Sequence, residues 1–153
     1  MEQTFALIKP RAFHENLTGP ILNLFNTAGF KIGAIKSWWL SDREARQLYG
    51  IHQGKPFYED LLTYMISGPI VVMVLEKDHA VADLRKLVGN TDPQKAEAGT
   101  VRKLFGLNAR QNAVHASDSP ENAEKESALF FAQMEKYEPR GISFGKVHRK
   151  EES

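Results

Sequence analysis

One eight-residue run in this chain has the residue types and spacing to do chemistry: Asn112-Ala113-Val114-His115-Ala116-Ser117-Asp118-Ser119. A short apolar lead-in ends on a histidine, and small polar residues follow at once. A neutral imidazole has a free lone pair and can act as a nucleophile. Ser119 suits a helix N-cap, Pro120 the first helical position, and Glu121 the positive end of the helix dipole. The run therefore predicts a strand-to-helix junction at His115, beside backbone N–H groups suited to phosphate. A lone histidine is more often a surface or packed residue than a catalytic one, so its neighbours must carry the case.

The elements that would position His115 follow from periodicity. Thr4–Lys9 is a β-rich run closed by Pro10. Apolar residues at Ile21, Leu22, Leu24 and Phe25, with Gly29 as a stop, predict a helix over Thr18–Ala28. Phe30–Leu40 reads as a strand with Phe30, Ile32, Ala34, Trp38 and Leu40 on one face. Ser41-Asp42-Arg43-Glu44 is a capping box that starts a helix running toward Tyr49. Phe57–Ile66 is a further helical stretch, with Phe57 as one of its core residues. Ile70–Leu75 is unbroken apolar and predicts a strand buried on both faces. His79–Val88 is helical, and 90–111 is a long excursion without periodicity, a length that in compact domains is often functional. Asn112–His115 supplies the last strand. Asn122–Tyr137 supplies the last helix, with Ala123, Ser127, Phe130, Met134 and Tyr137 on one stripe. A tail over about 138–153 reads as a solvated end. The order predicts one α+β domain over 1–153. Its fold is a ferredoxin-like, split β-α-β arrangement of an antiparallel four-stranded sheet with helices on one face. A doubly apolar strand in such a sheet needs further cover, from the inserted helices or from a second subunit.

Composition excludes several classes. Twenty basic against nineteen acidic residues leave a net charge of +1, so nucleic-acid binding is not indicated. No cysteine is present, which removes thiolate chemistry and disulfides and fits a reducing compartment. The N-terminus lacks the pattern of a signal peptide, and the longest apolar run is too short to span a membrane. These features read as a cytoplasmic protein without membrane contact. The phosphate-binding loop of nucleoside triphosphatases is also absent. Gly50 to Gly54-Lys55 encloses three residues where four are needed, and Pro56 stands where Ser or Thr belongs. The stretch from Gly141 to Lys146 fails likewise, because Val147 follows the lysine.

The string Asn112-x-x-His115-Ala116-Ser117-Asp118-Ser119 closely resembles the active-site signature of nucleoside diphosphate kinases. The resemblance extends through Thr4–Pro10, Lys55-Pro56-Phe57, Ser67–Val71, Arg85–Pro93, Gly99–Arg102 and Ala123–Glu126. The chain departs from the family at Arg11-Ala12, where Asp-Gly or Asn is usual, and beyond Tyr137. Ala116 also replaces a usual glycine, which matters if the backbone there needs a positive φ.

The resemblance implies a ferredoxin-like fold and a ping-pong kinase that passes the γ-phosphoryl of a nucleoside triphosphate to a diphosphate through a phosphohistidine on His115. It implies phosphate and sugar contacts at Lys9, Arg85, Thr91, Arg102 and Asn112, and a base stacked on Phe57, which reverses the core reading of that residue. Lys and Arg suit such a site because they neutralise charge on the transferring phosphoryl. Glu126 matches the glutamate that orients the histidine and Ser117, and Tyr49 lies near the same site. Mg²⁺ is implied on the substrate phosphates, with Asp118 the one carboxylate suspected of touching it. The remaining histidines lack ligand spacing. A homo-oligomer, a tetramer or hexamer of dimers, is also implied. Two other function classes stand beside the kinase: a catalytically reduced nucleotide-binding regulatory module, and a carrier that passes its phosphohistidine to a protein. The carrier needs neither Phe57 nor the arginines.

Overall fold

The computed structural model describes residues 1–132 and Glu135. Four strands form one antiparallel sheet: β1 (Glu2–Ile8), β2 (Lys31–Trp38), β3 (Ile70–Lys77) and β4 (Val114–Ala116), in the spatial order β2-β3-β1-β4. β1 is central. Phe5 pairs with Val74 of β3 on one side, and Leu7 pairs with His115 of β4 on the other. Helices α1 (Pro10–His14) and α2 (Thr18–Thr27) follow β1, and α3 (Asp42–Leu48) and α4 (Tyr58–Met65) lie between β2 and β3. Helices α5 (Ala80–Val88) and α6 (Val101–Phe105) lie between β3 and β4, and α7 (Pro120–Phe130) follows β4. This is the expected split β-α-β order, as one unit.

Helices cover both faces of the sheet rather than one. Phe5, Leu7, Val72 and Val74 pack with Leu48, Leu61, Leu62 and Phe130 from α3, α4 and α7. Ala6, Ile8, Val71 and Met73 pack on the opposite face with Ile21, Phe25, Leu84 and Val101 from α2, α5 and α6. The doubly apolar β3 is therefore sealed within the chain, because the inserted helices supply the second layer. The single-face reading of Phe30–Leu40 also fails. A bulge at Gly33 sends Ile32 to one face and Ala34 to the other. A Cβ at Gly33 would stand 3.0 Å from the Glu76 carboxylate packed over it.

Local chemistry sets the helix ends. The capping box forms: Ser41 Oγ accepts from the Glu44 N–H at 3.1 Å, and Glu44 Oε1 accepts from the Ser41 N–H at 2.9 Å. Ser119 caps α7 by accepting from the Asn122 N–H, with Pro120 at the first position. This last helix ends at Phe130, short of Tyr137, because Phe131 turns extended. Ala123, Ser127 and Phe130 form the buried stripe, whereas Met134, Tyr137 and the tail lie outside the described residues. The excursion after α5 is not structureless. It holds a 3₁₀ turn (Pro93–Lys95) and the five-residue α6, capped by Thr100. Both are too short to show a helical period.

Candidate active site

His115 is the middle residue of β4, and its ring faces a cavity of about 790 Å³ between the sheet edge, the 90–112 excursion and the turn joining α3 to α4. The ring is fixed from two directions. Nε2 lies 2.9 Å from Glu126 Oε1, and the rings of Tyr49 and Phe5 meet it edge-on at 5.7 and 6.1 Å. The Ser117 hydroxyl donates to the same Glu126 oxygen. Glu126 reaches both partners because it lies nearly two turns into α7, which returns along β1. Its carboxylate holds the proton on Nε2, so the lone pair is on Nδ1.

Ala116 does not need a positive φ: it is an ordinary strand residue paired with Ala6. The strain falls three residues earlier, at Ala113, whose φ is 77°. That kink ends the loop and starts β4 at Val114, two residues later than Asn112, while the Lys9 N–H still bonds Ala113 O at 2.9 Å.

The expected cations converge on the cavity. Lys9 is buried at the end of β1 and donates through Nζ to Arg110 O at 3.2 Å. Burial, then Arg102 and Arg110, push its ammonium down to about 7. Arg102 of α6 is buried and donates to Gly89 O at 3.0 Å and Val114 O at 2.9 Å. Burial, then Arg85, lower its proton affinity. The first of these bonds runs to a glycine with φ 92°, where a Cβ would stand 2.7 Å from Thr100 Oγ1. Arg85 donates to Ala116 O at 3.2 Å. Asn112 is buried and spends its amide N–H groups on Thr91 O and Ala109 O, both at 3.0 Å, so its Oδ1 is left without a partner among the described residues. Thr91 lines the wall beside it.

Phe57 precedes α4 instead of lying in it, and is 41% exposed at the cavity mouth. The core position falls to Tyr58. Asp118 lines the cavity, where Asn122 Nδ2 donates to its Oδ1 at 2.6 Å and holds the carboxyl below its usual range. All ten expected site residues are thus in one place, nine on the wall and Ser117 behind Glu126.

One contributor was hidden in the sequence, and a second, Tyr49, was implied only as a neighbour of the site. Arg110 lines the cavity as a cation beyond Lys9, Arg85 and Arg102, and its only advance signal was a basic residue two positions before Asn112. Tyr49 is buried with its hydroxyl unpartnered among the described residues; burial, then Glu126, raise its proton affinity, so it remains a donor beside His115. The expected phosphate-binding backbone contributes less than the side chains: the Ser117 N–H goes to Phe5 O and the Asn122 N–H to the Ser119 cap.

A family model described as nucleoside diphosphate kinase matches residues 2–136. The curated nucleoside diphosphate kinase of Nitratiruptor is 50% identical over 135 residues, which cover 88% of this chain and 98% of that one. The Geotalea uraniireducens protein of the same name is 49% identical with the same coverage. Among solved structures, the Aquifex aeolicus nucleoside diphosphate kinase aligns with a TM-score of 0.86 at 36% identity, over 89% of this chain and 99% of that one. A Halobacterium salinarum nucleoside diphosphate kinase in complex with CDP gives 0.86 at 34% identity, over 90% and 91%.

Proposed function

The chain belongs to the nucleoside diphosphate kinase family, and from that premise we propose how its own residues perform the phosphoryl exchange. The observation that carries the proposal is His115, held through Nε2 by Glu126 and facing a cavity lined by Lys9, Arg85, Arg102, Arg110 and Lys125. Nδ1 attacks the γ-phosphorus of a nucleoside triphosphate, and the bond from that phosphorus to the β–γ bridging oxygen breaks. The electron pair leaves with the diphosphate. A second diphosphate then attacks the phosphohistidine through its terminal oxygen, which returns the lone pair to Nδ1. Glu126 stabilises the Nε2–H as positive charge grows on the ring, and Ser117 fixes Glu126.

Lys9, Arg85, Arg102 and Arg110 neutralise the phosphates at the inner end of the cavity. Asn112 Oδ1 is a buried acceptor without a partner, which suits a sugar hydroxyl. Phe57 offers an exposed ring for the base, and a stacking contact discriminates little among bases. The diphosphate in the Halobacterium relative is of this substrate class.

The family uses a divalent cation. Among the described residues no group of three carboxylates or histidines could cage one. Glu126 is taken by His115 and Ser117, and Asp118 has one oxygen committed to Asn122. These residues fit Mg²⁺ carried on the triphosphate as part of the substrate, with Asp118 as a single outer contact. We further propose a cytoplasmic enzyme; no described helix is long and apolar enough to cross a membrane. Assembly into a tetramer or hexamer of dimers is supported by the sheet edge at β2, where Ile35, Trp38 and Trp39 are exposed. Light scattering at micromolar concentration tests it, and an active monomer refutes it.

The decisive experiment adds γ-labelled triphosphate to the enzyme and then an unrelated diphosphate. Labelled protein followed by labelled new triphosphate is expected. Unlabelled protein would leave a nucleotide-binding module, and label that the diphosphate cannot remove would leave a protein phosphohistidine carrier.

A further inference from the structure

The turn from Tyr49 to Phe57 carries three rings in contact. Tyr49, 5% exposed, touches His115 on its inner side. On its outer side it meets the ring of His52, 6.5 Å away and nearly parallel at 25°. His52 in turn meets Phe57 at 5.5 Å and 58°. A half-exposed phenyl in the loop before α4 has no core to seat it. Among the described residues, His52 is the ring that ties Phe57 back to the buried wall.

Lys55 completes the arrangement. Its Nζ lies 3.3 Å from His52 Nδ1 and 5.8 Å from the centre of the Phe57 ring. An ammonium can only donate, so this contact requires a lone pair on Nδ1 and places the imidazole proton on Nε2. Burial, then the charge of Lys55, lower the proton affinity of His52 and keep it neutral. His52 is therefore held in one tautomer and one orientation, as a support for a ring must be. The backbone closes the same turn, with the Lys55 N–H donating to His52 O at 3.0 Å and Gly54 in the left-handed region at φ 90°.

We propose that His52, which lines the same cavity, is a positioning residue for the base: it holds Phe57 at the angle from which the base stacks. The inference rests on Phe57 being the base platform. His52 thereby links the base end of the cavity to Tyr49 and the nucleophile through one continuous row of rings.

The test compares the dissociation constants of ADP and of ribose 5-diphosphate, which has the phosphates and sugar but no base. His52→Ala is expected to weaken ADP by about two- to tenfold, the worth of one aromatic pair, and to leave ribose 5-diphosphate unchanged. His52→Phe, which keeps a ring, should recover most of the loss. In a Phe57→Ala background, His52→Ala should add nothing further, because the element it supports is gone. Equal weakening of both ligands would mean a general loosening of the turn and would overturn the proposal, as would full additivity with Phe57→Ala. If Phe57→Ala itself leaves ADP and CDP binding intact, the platform reading fails. If Phe57→Ala weakens both and His52→Ala weakens neither, only the role of His52 fails.

Discussion

The two ends of the cavity are built in opposite ways. At the end proposed for the phosphates and sugar, Lys9, Arg102 and Asn112 are each at most 8% exposed, and each donates to backbone carbonyls of the 90–112 excursion or its borders. At the base end Phe57 and Ile51 are 41% and 76% exposed, on a turn without regular structure apart from the 3₁₀ segment Gly50–His52. A buried cation must be hydrogen-bonded or it destabilises the fold. The side chains proposed to meet phosphate and sugar therefore also hold together the loop that encloses them. A stacked base asks only for an accessible aromatic face, and a turn can supply that. The phosphate end should consequently couple catalysis to stability, and the base end should affect affinity alone.

The strongest test of this contrast removes the nucleophile. His115→Ala should abolish transfer while nucleotide binding persists, and the label on the native enzyme should be lost in acid and stable in base. Transfer surviving in that variant, or an acid-stable label, would move the chemistry away from the phosphate end.

Arg102→Met comes next. It should slow transfer by about 10²–10³-fold, the usual loss for one donor to a transition-state oxyanion. It should also destabilise the fold by about 2–4 kcal/mol, because a buried carbonyl at Val114 and a part-buried one at Gly89 lose their donor. Urea unfolding measures the second effect, and a normal midpoint in this variant would remove the coupling between the two roles.

Phe57→Ala is the matched experiment at the other end. Purine and pyrimidine nucleotides should both weaken by about 1–3 kcal/mol, with the unfolding midpoint unchanged. A loss confined to one base would make the turn a specific pocket, and a lowered midpoint would make it a structural element like the phosphate end.

The smallest expected effect is a proton. Burial, then Arg102 and Arg110, push Lys9 down to about 7, well below its ordinary value of 10.5. The sign follows from linkage: a bound polyanion favours the ammonium and raises that value, so nucleotide binding at pH 8 should take up close to one proton per site. Calorimetry in buffers of different ionisation enthalpy detects the uptake, and Lys9→Met should abolish it. The same lowered value makes the protein gain stability as pH rises from about 7 toward 10.5, because the unfolded chain still binds the proton over that window. Binding without proton exchange in the native enzyme would place Lys9 outside the phosphate site.

What could be read from the sequence was local. The capping box at Ser41, the apolar run of β3 and the Ser119-Pro120-Glu121 helix start after His115 each lie within about a dozen residues. There hydrogen bonding and helical period act directly, so the junction at His115 and its helix were legible in advance. The ten site residues, by contrast, were gathered by resemblance; their types alone gave weak signals, and only folding brings Lys9, Phe57, Arg85 and Arg102 to one wall.

Other features depended on contacts that no local pattern encodes. The bulge at Gly33 answers to the Glu76 carboxylate, 43 positions away. The second helical layer exists because α3, α4 and α7 return over Phe5 and Leu7. Helices α1 and α6 are five residues each, less than two turns, and are held by packing more than by any intrinsic period. The backbone strain fell on Ala113 because the chain must turn there for Val114 to enter the ladder beside Ile8. Arg110 joined the cavity because its own carbonyl receives the Lys9 ammonium. Short-range hydrogen bonds and periodicity set where the elements begin. Burial of charge and of apolar area across distant segments decided which residues those elements bring together.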